Sequence, residues 1–154
     1  MFKHLLLPTD GSALSQRAAE AGIAFAQALG ARVTIYHALE PLPRYIYSEG
    51  TVLPASFLAV LEQCARDEAE RFVGALAQKA AAAGVHHDAV IDRQEYPHRG
   101  ILDAAARAGC DAIFMGSHGR SGLVSLLLGS VARKVVSCAS IPVTIYRDET
   151  IPRD

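Results

Sequence analysis

The chain has 154 residues, 51% hydrophobic and 20% charged, with a formal net charge of −1. That length suits one domain with a sizeable core of its own, and the near-zero charge, without a long run of like charges, gives neither nucleic acid nor an anionic membrane surface the basic patch it favours. Cys64, Cys110 and Cys138 are odd in number, far apart and without a C-x-x-C, so they read as three small buried hydrophobes in a reducing cytosol, while MFKHLLLPTDGS is no signal peptide and no stretch approaches a membrane span.

From the N-terminus, residues 4–10 (HLLLPTD) are a compact apolar run stopped by proline and predict a first strand. Residues 12–29 carry Leu14, Ala18, Ala21, Phe25 and Ala28 at spacings of three and four, which predicts a helix. Ser12 is placed to cap its start and Gly30 to end it. Residues 32–39 (RVTIYHAL) are β-branched and aromatic and predict a second strand. Residues 40–53 hold two prolines, a glycine and two tyrosines without period and read as a long loop. The strongest helical pattern runs over 54–83, where Phe57, Leu61, Ala65, Ala69, Phe72, Leu76, Ala80 and Ala83 line one face. Pro54 suits its first turn and Gly84 its end. Residues 86–92 predict a third strand, 97–108 a helix opened by proline and closed by Gly109, and 111–117 a fourth strand. A further helix over 129–138, a last strand over 141–147 and a polar tail over 148–154 complete the chain.

Alternating strands and helices at this spacing require right-handed crossovers and a parallel sheet. The fold class is therefore α/β, an open doubly wound five-stranded sheet with helices on both faces, forming one domain over 1–154. DAIFMG and IPVTIY are apolar almost throughout, as strands buried on both faces should be. No internal repeat, low-complexity tract or linker interrupts the pattern.

Ligands of such sheets bind beyond the carboxyl ends of the strands, where the strand order reverses. The segments there are PTDGS (8–12), HALEP (37–41) and GSHGRSG (116–122), which converge if strands one and four are neighbours. Gly116 and Gly119 let the backbone turn sharply and admit a ligand close to bare N–H groups. Gly129 and Ser130 open a helix whose free N–H groups and dipole attract an anion. The Ser130 hydroxyl and the side chains of His118 and Arg120 stand near the same place. This reads as a phosphate cradle; glycine placement alone fits a merely shaped loop equally well. No lysine follows the last glycine, so it is no P-loop, and PTDGS after the first strand is no G-x-G-x-x-G fingerprint.

Asp10 reads either as an acceptor for a ribose or an adenine amino group, or, with Ser12, as the cap of the first helix. His86, His87 and His98 read as structural or solvent histidines, since adjacent strand residues face opposite ways and no second cluster supports a metal. His37 closes the second strand beside the proposed base pocket. Neither Ser12 nor Ser130 sits in a G-x-S-x-G elbow, and paired carboxylates are not evident, so no catalytic residue is assigned.

The spacing Gly116-x2-Gly119-x9-Gly129-Ser130, with LLLPTDGS at the start and IPVTIY at the end, resembles the universal stress protein family, in its ATP-binding subgroup, over about residues 1–147. The resemblance implies strand order 3-2-1-4-5 and an adenine-nucleotide site formed by Pro8, Thr9, Asp10, Ala38, Met115, Gly116, His118, Gly119, Arg120, Gly129, Ser130 and Val131. In it, adenine would lie between the first two strand ends, near Asp10 and the Ala38 backbone. Ribose and phosphates would rest on Gly116, Gly119, Gly129 and Ser130, with the Val131 N–H, and Mg²⁺ or Mn²⁺ would ride on the phosphates. The resemblance further implies a homodimer through 141–147, an apolar edge that invites pairing. Many relatives carry a glycine near position 96, where this chain has Tyr96 and Pro97, which alters what lies over the site. The 40–53 loop, with Tyr45 and Tyr47, is expected to fold over the crevice or onto a partner subunit. The function implied is that of a small cytoplasmic ATP-binding stress-response protein, a nucleotide-dependent sensor or regulator. A slow ATPase or nucleotidyl-transfer enzyme, and a dimeric interaction protein without nucleotide, are the alternatives the residues leave open.

Overall fold

Leu5, Leu6 and Leu7 are consecutive and apolar, so their strand needs cover on both faces and neighbours on both sides. The computed structural model describes residues 1–42, 53–119 and 128–147 and puts that strand, β1 (His4–Pro8), at the centre of the sheet. Helix α1 (Ala13–Leu29) leads to β2 (Arg32–Leu39), and α2 (Ala55–Ala82) to β3 (His87–Arg93). Helix α3 (Pro97–Ala108) then crosses to β4 (Ala112–Gly116), and α4 (Ser130–Cys138) to β5 (Val143–Tyr146). All pairings are parallel, in the order β3-β2-β1-β4-β5, as the resemblance implied. The register sets Pro8 beside Tyr36, Ala38 beside Asp92 and Gly116 beside Tyr146, so the strands end together on one side.

Alternation along the strands divides the core into two layers. Leu5, Leu7, Val33 and Ile35 meet Ile23 of α1 and Val73, Leu76 and Ala80 of α2. Leu6, Tyr36, Ile113 and Met115 meet Ile101 and Ala104 of α3 and Ala132 and Val135 of α4. Ser12 caps α1 and Gly30 ends it in the left-handed conformation, as predicted.

Three expectations need correction. The apolar face of α2 was drawn too far toward its N-terminus: Phe57 is 47% exposed, and full burial begins at Ala69. A helix of 28 residues spans about 42 Å, whereas β2, with 8 residues, spans about 26 Å, so the first turns of α2 overhang the sheet. Of the three cysteines only Cys110 is buried, its thiol pushed up to about 11 by desolvation; Cys64 and Cys138 are exposed and free. Finally, β4 is buried throughout but β5 is not, because β5 is the edge strand and leaves Thr144 exposed. Among the described residues, no helix is long and apolar enough to cross a membrane.

Candidate functional site

After Pro8 the ladder continues for one bond, from the Thr9 N–H to the Tyr36 carbonyl (2.9 Å). The loop beyond is fixed by short-range hydrogen bonds. The Asp10 carboxylate accepts from the Ser12 N–H (3.0 Å), Ser12 Oγ accepts from the Ser15 N–H (3.3 Å), and the Thr9 and Ser15 hydroxyls bond each other (3.0 Å). Gly11 has φ +80°, and a Cβ there would strike the Phe72 ring at 2.7 Å. His37 ties this loop to β2: its Nδ1 lies 2.9 Å from the Thr9 carbonyl, which can only accept, so the proton sits on Nδ1. The Phe72 ring meets the imidazole edge-on, with centroids 4.9 Å apart.

On the other side of the crevice, Met115 and Gly116 end β4. The Ser117 N–H donates to the Tyr146 carbonyl (2.9 Å), and the Ser117 carbonyl accepts from the Gly129 N–H (2.8 Å). The first bond ties the end of β4 to the end of β5, and the second fastens the start of α4 to the end of β4. Gly129 is the N-cap of α4 and supplies no side-chain cap, so the N–H groups of Ser130, Val131 and Ala132 have no intrahelical acceptor and retain their pull on an anion. His118 Nδ1 bonds Ser117 Oγ (3.1 Å), and its buried Nε2 has no partner among the described residues.

The two loops touch through a glycine. A Cβ at Gly119 would overlap the Asp10 Oδ2 atom, and one at Gly129 would press on the Ser117 carbonyl and the His118 Cα, both at 3.2 Å. Gly116, Gly119 and Gly129 are not among the glycines with positive φ, so none of them is required for a left-handed conformation. Gly119 and Gly129 instead let two backbones and a carboxylate approach one another.

Between these loops opens a cavity of about 430 Å³, a size common for small-ligand sites. It lies between β1 and β4, where the chain's crossovers part to opposite sides of the sheet. Eleven of the twelve predicted residues line it: Pro8, Thr9, Asp10, Ala38, Met115, Gly116, His118, Gly119, Gly129, Ser130 and Val131. Arg120 falls outside the described residues, as do most of the 40–53 loop and the 148–154 tail. Ala38, Ile101 and Met115 give the cavity an apolar lining, and Ser130 and Val131 bring the open terminus of α4 to it. Among the described residues, no three His, Cys, Asp or Glu side chains cluster to hold a metal.

Sequence reasoning saw one wall only in part: the resemblance set Tyr96 and Pro97 over the site, but none of that wall was counted among the site residues. It looked beyond strands one, two and four, yet in a parallel sheet the segment after β3 reaches the same side. Tyr96, Pro97, His98 and Ile101 line the cavity from there, with Lys134 of α4. The Arg99 guanidinium sits 5.2 Å above the Tyr96 ring, and partial burial, then Lys134 and Arg99, lower the pKa of His98. Tyr36 and Ser15 were also missed. Tyr36 was readable from alternation, since it stands two residues before Ala38 and shares its face.

The universal stress protein family model matches residues 1–147. A universal stress protein of Thermus aquaticus, encoded in the QAH/OAS sulfhydrylase 3' region, is 37% identical over 147 residues, covering 96% of this chain and all of that one. The solved structure of protein MJ0577 of Methanocaldococcus jannaschii superposes with a TM-score of 0.79 at 28% identity, over 97% of this chain and 98% of that one. Two structures share the fold at lower identity: a universal stress protein in complex with cAMP (TM-score 0.66, 23% identity, 95% and 97% covered) and one from Archaeoglobus fulgidus in complex with dAMP (0.61, 19%, 96% and 98%).

Proposed function

Because the chain belongs to the universal stress protein family, we propose that it binds an adenine nucleotide in the crevice between β1 and β4 and acts as a cytoplasmic nucleotide-dependent sensor or regulator. One observation carries the reading: the uncapped N-terminus of α4 meets a cavity that is also lined by the apolar Ala38, Ile101 and Met115. A ligand that joins a flat base to phosphate calls for that combination of apolar lining and free N–H groups. The two neighbours of this fold held with cAMP and dAMP support the choice of adenine.

In this arrangement the base lies against the apolar lining, with its edge toward the Ala38 backbone and Asp10. The phosphates meet the N–H groups of Ser130 and Val131 and the Ser130 hydroxyl. His118, whose buried Nε2 lacks a partner among the described residues, stands beside them. ATP fits this combination, and a bound Mg²⁺ or Mn²⁺ would neutralise phosphate charge while keeping most of its waters, needing no protein cage. The residues bind and orient; among the described residues no nucleophile with a positioned base accompanies them, and turnover in this reading is at most slow. The exposed edge of β5 pairs two copies into a homodimer.

Thermal melting with ATP, ADP, AMP and cyclic AMP, each with and without Mg²⁺, tests the proposal. A ligand of the native state raises Tm with the logarithm of its concentration. At least one nucleotide should do so, with Mg²⁺ adding to the effect only for the polyphosphates. An unchanged Tm with all four at millimolar concentration contradicts the reading.

A further inference from the structure

One cation on the cavity wall has no carboxylate to hold it. Among the described residues that line the cavity, Lys134 of α4 is the only lysine or arginine. It is exposed, and its ammonium makes no ion pair or hydrogen bond among the described residues. Elsewhere Lys79 reaches Glu20, Arg93 reaches Glu62 and Arg107 reaches Asp92. Asp10 and Glu40 also line the cavity, yet neither pairs with Lys134. On the facing wall stands His98. Partial burial, then the charges of Lys134 and Arg99, lower its pKa, and no carboxylate acts against them there. Cations thus face one another across this part of the cavity, an arrangement that an entering anion relieves.

The position of Lys134 says which anion. It stands four residues beyond Ser130 on α4, so the two side chains share a helix face, with Cβ atoms about 5–6 Å apart. Helical side chains lean toward the N-terminus of their own helix, which carries the Lys134 stem back toward the turn with the free N–H groups. No lysine follows Gly129 directly, as one would in a P-loop; the helix returns one a turn later. We propose that the Lys134 ammonium pairs with a phosphate of the bound nucleotide at the open end of α4. The inference rests on the adenine-nucleotide reading above. The N–H groups of Ser130 and Val131 supply directed dipoles, and Lys134 adds a full positive charge to the same phosphate. The residue thereby favours a nucleotide over a nucleoside, which brings no anion to pair with it.

Calorimetric titration of wild type, Lys134→Gln, Lys134→Arg and Arg133→Gln with the nucleotide that wild type binds, at low and at raised salt, tests this. Arg133 is the control, because it is exposed on the same helix and carries the same charge but does not line the cavity. Lys134→Gln should melt as wild type does, bind about tenfold more weakly and depend less steeply on salt. Lys134→Arg keeps the cation and should recover most of the loss. Arg133→Gln should stay within about twofold of wild type, as removal of a distant surface charge does. Unchanged affinity in Lys134→Gln, or an equal loss in Lys134→Arg or in Arg133→Gln, overturns the proposal while leaving the nucleotide site intact. If wild type binds none of ATP, ADP, AMP and cyclic AMP, the functional reading itself fails, and this inference with it.

Discussion

Asp10 and Gly119 are far apart in sequence but act as one unit. The carboxylate bonds the Ser12 N–H with one oxygen and rests on the bare Cα of Gly119 with the other. Gly119→Ala should therefore cost about 1–3 kcal/mol, as overpacking does, and most of that cost should disappear in an Asp10→Ala background. Denaturant unfolding of the two single variants and the double variant checks this; an unchanged cost in the double variant would contradict the contact. The glycine was legible in the sequence as part of a spacing. Its use was not, because a left-handed turn and a close approach demand the same residue.

A second residue carries a pH dependence. His4 is 6% exposed and bonds Thr34 Oγ1 through Nε2 (2.8 Å). Burial, then the charge of Arg32, holds its pKa below 6.5. In the unfolded chain the imidazole is ordinary, so as pH falls the unfolded state takes up the proton first. Stability should be full above about pH 6.5 and decline below it toward the lowered folded value, with His98, shifted the same way, adding to the same window. His4→Gln should flatten the fall in Tm between about pH 7 and about pH 5; an unchanged slope would contradict the assignment.

At the scale of elements, helix ends were easier to read than helix faces. Ser12, Gly30, Pro97 and Gly109 mark boundaries because capping and left-handed termini are local chemistry. The buried extent of α2 is not local. Periodicity says which side of a helix is apolar, whereas the length of β2 decides how much of that side finds a sheet to cover. The difference predicts a gradient along one helix: Leu76→Ala should cost about 2–5 kcal/mol and Val60→Ala, 56% exposed, within about 0.5 kcal/mol. Equal costs, measured by urea unfolding, would mean that the first turns of α2 are covered in solution.

For the whole molecule, strand–helix alternation sufficed for a parallel doubly wound sheet, but the order of its strands came from the family pattern. Once β1 and β4 are neighbours, residues from Pro8 to Val131 gather at one crevice with no contact that local sequence could reveal. The wall from β3 to α3 was legible in principle, since every strand of a parallel sheet ends on the same side. The same topology leaves β5 at an edge with Thr144 exposed. Sedimentation should give the mass of two chains, and Thr144→Lys should shift it toward one without lowering the monomer's helical content; a wild-type monomer would remove β5 as an interface.

The central claim, that the open end of α4 holds the phosphates of an adenine nucleotide, is tested most directly by calorimetric titration of ATP with Mg²⁺ into wild type and Gly129→Val. Valine at 129 would press its Cβ on the Ser117 carbonyl and the His118 backbone and place bulk over the free N–H groups. Saturable binding near one nucleotide per chain, abolished in a Gly129→Val protein that still melts cooperatively, is the predicted result. Absence of heat with wild type, or affinity unchanged in the variant, would contradict it.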